Sequence, residues 1–464
     1  MNAPLCRETS QELAVKAAGS RRRAYRQTLG DTLVVLKGAT FLRRNGDVDF
    51  PLRQHSDLLY LSACDLPDVI MLLSQQREIL FVPKVDEHHL VWLGKVPTAD
   101  ETRMLFGFEE AQVLESLDET LKSLAPSAAS ITASAELSEK IQALCPETPL
   151  RKWRKDVELQ NQRVLKSEPE LHLMQEAANA SSAAHIAVME QARPGMMEWQ
   201  VQDLFLSSLR SHGLRDLSFP TIAACGSNGA VLHYTKDLSQ LQLGQLCLLD
   251  AGGEWLGYAA DITRTWPVGS AFNDQQREIY RIVLNAKQKA SAIIHKGVWL
   301  SDLQACVMRE LTVGLREFGL LHGRVEDLIE HQAIKIFYPH GCSHQLGLDV
   351  HDVSPNQTNP NPPAYAKVRA DQQLDLNMVI TMEPGLYFIE ALVNSPEKRE
   401  KLAPWVNWSK AESMLKFGGL RIEDDLLVCE NNAKSLTCVP ESVEDIENIR
   451  KRALSKISGC SVPF

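Results

Sequence analysis

The alternation of apolar and polar positions changes character partway along the chain. Up to about residue 160, short apolar runs recur: TLVVLKGA at 32–39, VIMLLS at 69–74 and EILFVP at 78–83. Polar helical stretches such as Ser116 to Leu124 separate them, a mixture that predicts a compact α/β unit. The polar stretch RKWRKDVELQNQR follows, and then a helix start is spelled out: Ser167 as N-cap, Pro169 in the first turn, Glu170 completing a capping box. That helix should run to about Ala192, where Arg193-Pro194-Gly195 stops it. A second helix follows with Val201, Leu204, Phe205 and Leu209 on one core-facing side, ended by Gly213. The pattern therefore divides the chain into an N-terminal domain, 1–160, and a larger C-terminal domain, 161–464.

After residue 218 strand runs and turns take over: LCLLDAGG at 246–253 and YAADITRTWPV at 258–268. Two amphipathic helices are expected at 274–295 and 301–318, then a Gly/His/Pro-rich segment at 339–363, then strand-like runs at 378–383 and 419–428. Acids stand at the ends of these apolar runs. Asp250 closes LCLLD and Asp261 opens DITRTWPV, so a hairpin would bring them side by side. Glu383 closes MVITME, and alternation in GGLRIEDDLLV puts Arg421 and Glu423 on one strand face. Singly, each is an ordinary strand-end acid. Adjacent carboxylates repel, however, and two such pairs call for a cation or a shared proton.

The segment YPHGCSHQLGLDVHDV adds His340, His344 and His351 within twelve residues. Pro339 and Gly341 argue for loop and short strand rather than a helical zinc site. Four carboxylates and one imidazole, without a thiolate, form a hard, oxygen-rich donor set suited to two divalent ions of the Mn²⁺, Co²⁺, Mg²⁺ or Zn²⁺ type rather than one structural Zn²⁺. Two such ions offset four carboxylates and leave the site able to activate a water near neutral pH.

Composition narrows the partners. With 44% hydrophobic and 23% charged residues the chain is an ordinary globular protein, and its net charge of −10 offers no general attraction to nucleic acid or anionic lipid. The N-terminal stretch lacks the apolar core of a secretory signal, and no apolar run reaches the roughly 18 residues of a membrane span, so the chain is read as cytosolic. Its ten cysteines are scattered without a CxxC pair, which excludes a zinc ribbon or a disulfide scaffold.

LLDAGGEWLGYAADITRTWPV, HGCSHQLGLDVHDV, ITMEPGLYF and GGLRIEDDLLV together resemble the pita-bread metallopeptidases, in the proline-specific branch of prolidase and aminopeptidase P. PLRQHSDLLYLSACDLPDVIMLL at 51–73 resembles that branch's extra N-terminal domain, which implies roles in substrate gating and dimerisation. The resemblance implies an α+β fold: a C-terminal domain of two pseudo-symmetric halves, each lending an acid-bearing strand pair to a dinuclear site, behind a smaller α/β domain. It further implies that Asp250 binds one metal and His344 the other, and that Asp261 and Glu423 bridge them. Glu383 would be a ligand that also accepts a proton when a metal-bridging hydroxide forms and attacks the Xaa-Pro carbonyl. His233, in AVLHYT, His340 and His351 resemble histidines that handle substrate, His351 at the carbonyl oxygen and the other two at the proline pocket, and Arg421 is expected to bind substrate.

Three features lean towards prolidase, an Xaa-Pro dipeptidase. Arg369 matches the position that binds a dipeptide carboxylate there, the segment from Leu386 to Gly418 resembles a longer insertion, and Trp92 is similar to a tryptophan lent to the partner subunit of a homodimer. DITRTWPV is as typical of aminopeptidase P, which cleaves longer Xaa-Pro peptides and is the alternative. Cys342 and the proline-rich loop HDVSPNQTNPNPPAYAKVRA depart from the family pattern. A metal-free peptide-binding module of the same fold is the reading from another class, and the complete ligand set argues against it.

Overall fold

The structure is a computed structural model. It describes residues 7–458 except 86, 155, 356, 358, 367 and 369. The chain divides into two compact units, Cys6–Arg163 and a second that begins at Val164. No helix among the described residues is long and apolar enough to cross a membrane.

In the first unit a six-stranded mixed sheet is built around the strand Thr32–Lys37. This strand pairs antiparallel with Ile70–Leu73 and parallel with Ser130–Ala133. Leu33, Val35, Leu72, Phe81 and Ile131 pack on one face with Leu117, Leu121 and Ile141 of the covering helices. The helix Arg7–Thr28 is tied to the sheet by buried charges, Arg22 and Arg26 both meeting Glu78.

The second unit repeats one theme. The helices Glu168–Gln191 and Glu198–Ser211 precede a three-stranded antiparallel sheet, Ile222–Cys225, Leu246–Asp250 and Thr263–Pro267. The helices Asp274–Ala292 and Leu300–Glu317 likewise precede Val379–Met382, which pairs with Asp424–Val428. The two halves form a pseudo-two-fold pair, each giving two helices and then an acid-bearing strand pair. The capping box at the first helix is present: the Glu170 carboxylate accepts from both the backbone N–H and the hydroxyl of Ser167. Val201, Phe205 and Leu209 are fully buried on the second helix, with Leu204 only half-buried.

One strand expectation holds and one is corrected. Asp250 and Asp261 do come side by side, on adjacent strand runs with Asp250 opposite Thr263 and a small hairpin, Gly253–Trp255 with Tyr258–Ala259, between the two acids. Asp261 sits just outside the ladder. The run 419–428 is two strands, broken at Ile422 and Glu423, where Glu423 leaves its own sheet to form a bridge with Thr263 of the other half. That crossing is the seam of the unit.

Arg264 secures the seam. Its guanidinium donates to the carbonyls of Thr263 and Glu423, to Val439 and Pro440 of the C-terminal segment, and to the Asp424 carboxylate at 2.7 Å. Lys287 also bonds Asp424 and reaches Glu441. Burial would push the Asp424 carboxyl up, but the flanking Arg264 and Lys287 outweigh it and hold it below its ordinary range.

Gly252 makes the approach of the acid strands possible, since a Cβ there would lie 1.8 Å from the carbonyl oxygen of Ala260. No side-chain rearrangement relieves a clash with backbone. Gly252→Ala should therefore lower stability by at least about 1–3 kcal/mol, the usual cost of forced overpacking, read as a drop in the urea midpoint. A wild-type midpoint would mean that the two segments are not in contact.

Candidate metal centre

The acids of the two halves meet at the seam. Ligand atoms of Asp261, His344 and Glu423 all lie within 4.8 Å of one another. His344 Nε2 is 3.5 Å from Asp261 Oδ2 and 3.6 Å from Glu383 Oε1. Asp250 joins through Asp261, whose carboxyl it contacts, and through Arg421. So Asp250 and Asp261 arrive from the first half, Glu383 and Glu423 from the second, and His344 from the loop before Gln345, which bridges to Ile380.

Local sequence explains each placement. Strand residues with apolar neighbours run into the core, and the acid at the end of each run is carried inward with them. Asp250 and Asp261 are under 10% exposed and Glu423 is 2% exposed. The turn after Asp250 is fixed by buried His185, whose Nε2 bonds the Ala251 carbonyl at 2.9 Å. Burial holds that imidazole near pKa 4, so it is neutral and donates from Nε2.

The electrostatics are those of a site built for cations. Burial, then the charges of Asp250 and Glu383, raise the Asp261 carboxyl far above its ordinary range. Burial and then Asp261 do the same to Glu423. Glu383 is pushed up to about 8 by burial and by Glu423. Arg421 is the one cationic side chain in contact with these acids among the described residues, donating to Asp250 Oδ2 at 2.5 Å and lying 3.8 Å from Glu423. One charge does not offset four carboxylates. Asp250 Oδ1 is buried without a hydrogen-bond partner among the described residues. An orphaned acceptor, raised carboxyls and an imidazole facing two of them fit divalent cations.

The other anticipated residues are distributed as follows. His340 is hydrogen-bonded on both ring nitrogens, to the Gly341 carbonyl at 2.6 Å and to Tyr387 Oη at 2.9 Å, with Nδ1 3.6 Å from Glu383. Burial, then the charge of Arg421, lowers it to about 3. It is neutral, with Nδ1–H donating to Gly341 and Nε2 accepting from Tyr387. The exposed His351 ring meets that of His344 edge-on at 4.4 Å. His233 is exposed, on the segment after the short helix Gly226–Ala230. Arg421, expected at the substrate, is buried and directed at Asp250, Thr263 and Tyr387. Trp92 is exposed on the helix Glu87–Leu93 of the first unit. Arg369 lies outside the described residues.

Several supporting residues escaped sequence reasoning. Thr263 donates to Glu423 Oε2 at 2.6 Å and accepts from Arg421 Nε at 3.1 Å, setting the orientation of both. The buried Asp425 carboxylate accepts from the Asp261 backbone N–H at 3.2 Å. Lys166 and Asp352, both buried, pair at 3.1 Å and anchor the turn after His351. One signal was legible: consecutive acids inside the apolar run IEDDLLV have no reason to be there unless partnered.

The chain matches the family model described as metallopeptidase family M24 over residues 172–430, and the model of the aminopeptidase P N-terminal domain over 18–132. It is similar to a probable Xaa-Pro aminopeptidase of Neosartorya fischeri, 33% identical over 428 residues covering 88% of this chain and 90% of that protein. Among solved structures it is similar to aminopeptidase PepP of Pseudomonas aeruginosa, at 30% identity and a TM-score of 0.85, covering 95% of this chain and 99% of that one. It is also similar to zinc-substituted aminopeptidase P of Escherichia coli in complex with product, at 28% identity and a TM-score of 0.83, covering 97% and 99%.

The raised carboxyls make a pH prediction for chain stripped of metal. Glu383 moves from an ordinary 4.5 to about 8, so the folded state prefers the proton. Its contribution to stability is complete below 4.5 and is lost as pH rises towards 8. Asp261 and Glu423 shift in the same direction. The melting temperature of chelator-treated protein should fall across this interval, and added Mn²⁺ should restore it most at the alkaline end. A metal-free melting temperature independent of pH there would contradict the clustering of these acids.

Proposed function

We propose, from the premise that this chain belongs to metallopeptidase family M24 in its proline-specific pita-bread branch, that it removes the N-terminal residue from peptides whose second residue is proline. The reading is carried by one observation: acids from both halves and His344 converge on a single buried, cation-deficient centre. The aminopeptidase name borne by its relatives favours longer peptides over the dipeptides first expected. Arg369, on which the dipeptidase reading leaned, lies outside the described residues.

Asp250, Asp261, His344, Glu383 and Glu423 would hold two divalent ions, Mn²⁺ being the proposed pair. When bound, these ions would polarise the scissile carbonyl and make a water nucleophilic near neutral pH. The chain's own groups do the rest. Glu383 stands between His340 and His344 and can accept a proton from the attacking water and pass it to the departing proline nitrogen. The proline nitrogen needs that proton because an amide anion is a very poor leaving group, and it then departs as a neutral secondary amine.

Neutral His340, held by Tyr387 and Gly341, forms a fixed wall beside Glu383 and would line the proline pocket with His233. His351, exposed beside His344, is placed to donate to the carbonyl oxygen as charge develops on it. Arg421 acts through others: it orients Asp250 and Thr263 and offsets part of the negative charge.

Loaded with Mn²⁺, the protein should cleave an Xaa-Pro-Xaa tripeptide with a higher kcat/KM than the Xaa-Pro dipeptide. Preference for the dipeptide would restore the prolidase reading, and no hydrolysis of either would sink both. Asp261→Asn keeps the side-chain size but removes the charge. It should lower kcat at least about a hundredfold, the upper end of what losing even an outer-sphere partner of a metal costs.

A further inference from the structure

One carboxylate outside the metal centre is more fully engaged than its position explains. Glu198 opens the helix Glu198–Ser211 and is completely buried. Its Oε1 accepts from the Cys225 backbone N–H and from Asn228 Nδ2, both at 2.8 Å. Its Oε2 accepts from Tyr234 Oη at 2.8 Å and from the Ser239 N–H at 2.9 Å. These donors mark the start, the middle and the end of the segment 225–239. Asn228 cross-links them again, bonding Tyr234 Oη and Ser239 Oγ at 2.9 Å each. A carboxylate is the one side chain that offers four acceptor positions at a point, and the helix N-terminus favours its charge.

The segment so held carries His233, next to Tyr234. Tyr234 is buried and His233 exposed, so fixing the tyrosine hydroxyl on Glu198 fixes which way the histidine is presented. The opposite side of the segment is pressed on the backbone next to Arg421. A Cβ at Gly418 would lie 1.8 Å from the Gly226 carbonyl oxygen, and one at Gly419 would lie 2.0 Å from that of Gly229. The segment is therefore clamped between Glu198 and the site strand Gly419–Arg421.

We infer that Glu198 is a positioning residue for His233: by gathering four donors of the segment 225–239 it sets the place of the imidazole at the substrate. The inference rests on the Xaa-Pro peptidase reading and on His233 facing the peptide. Nothing in it requires Glu198 to touch substrate or metal.

The test is a double-mutant cycle on Mn²⁺-loaded protein with an Xaa-Pro-Xaa tripeptide, using Glu198→Gln, His233→Ala and the pair. Each single change should lower kcat/KM by about tenfold to a hundredfold, the scale of a misplaced group. The pair should be no worse than His233→Ala within about twofold, because a positioner has nothing left to position. Multiplying losses in folded protein would overturn the inference, and so would a neutral His233→Ala, which leaves the peptidase reading intact. If Glu198→Gln does not fold, Tyr234→Phe deletes one contact of the carboxylate and takes its place in the cycle.

Amide exchange supplies an arm that needs no activity. Glu198→Gln should speed exchange across 226–239 and leave the strand Leu246–Asp250 unchanged. Unaltered exchange in that segment would overturn the clamp, whereas loss of all Xaa-Pro hydrolysis by wild-type protein would overturn the peptidase reading separately.

Discussion

Four carboxylates share one buried site, and their mutual repulsion is the constraint to which the surrounding structure answers. Two like charges about 4 Å apart cost on the order of 4 kcal/mol at an effective dielectric of about 20. Burial adds to that, as the raised Asp261, Glu383 and Glu423 record. Arg421 supplies one positive charge and Thr263 one hydroxyl donor. Divalent cations, when bound, would supply the remainder, which would couple the binding of metal to the cohesion of the two halves.

Much of the second unit follows from bringing those acids together without misplacing them. Gly252 permits the backbone approach, His185 fixes the turn, and Asp425 holds the amide of Asp261. On the far side of Glu423, Arg264, Asp424, Lys287 and Glu441 form a buried network of alternating charge. Such a network costs desolvation, and its satisfied geometry gives the seam one register rather than extra strength. Glu423 could not bridge to Thr263 if the two halves slid by even one residue.

The histidines divide by environment rather than by residue type. His185 is buried and neutral because it must hold a carbonyl. His340 is neutral because burial and Arg421 forbid its charge. His344 reaches two carboxylates, His351 meets the His344 ring from an exposed position, and His233 is exposed. Buried neutral rings, a ring among carboxylates and exposed rings thus come from one side chain chemistry placed in different surroundings.

Local signals were enough for a good part of this. The capping box at Ser167, the strand at Leu246–Asp250 and the paired amphipathic helices depend on residues a few positions apart, so periodicity and turn chemistry expose them. Acids closing apolar runs, and histidines among glycine and proline, announced the hard donor set for the same reason. The break at Ile422–Glu423 and the engagement of Arg421 with Asp250 were not legible. Each is a contact or crossing between segments up to 171 positions apart, as in the Arg421 to Asp250 pair. Sequence by itself determined which residue types could hold cations and on which elements they stand, because those are properties of short windows. Only tertiary structure decided that Asp261 rather than Asp250 lies outside the ladder, that Glu423 changes sheets, and that Glu198 gathers the segment bearing His233. Those outcomes follow from long-range packing and the satisfaction of buried polar groups, which no local pattern encodes.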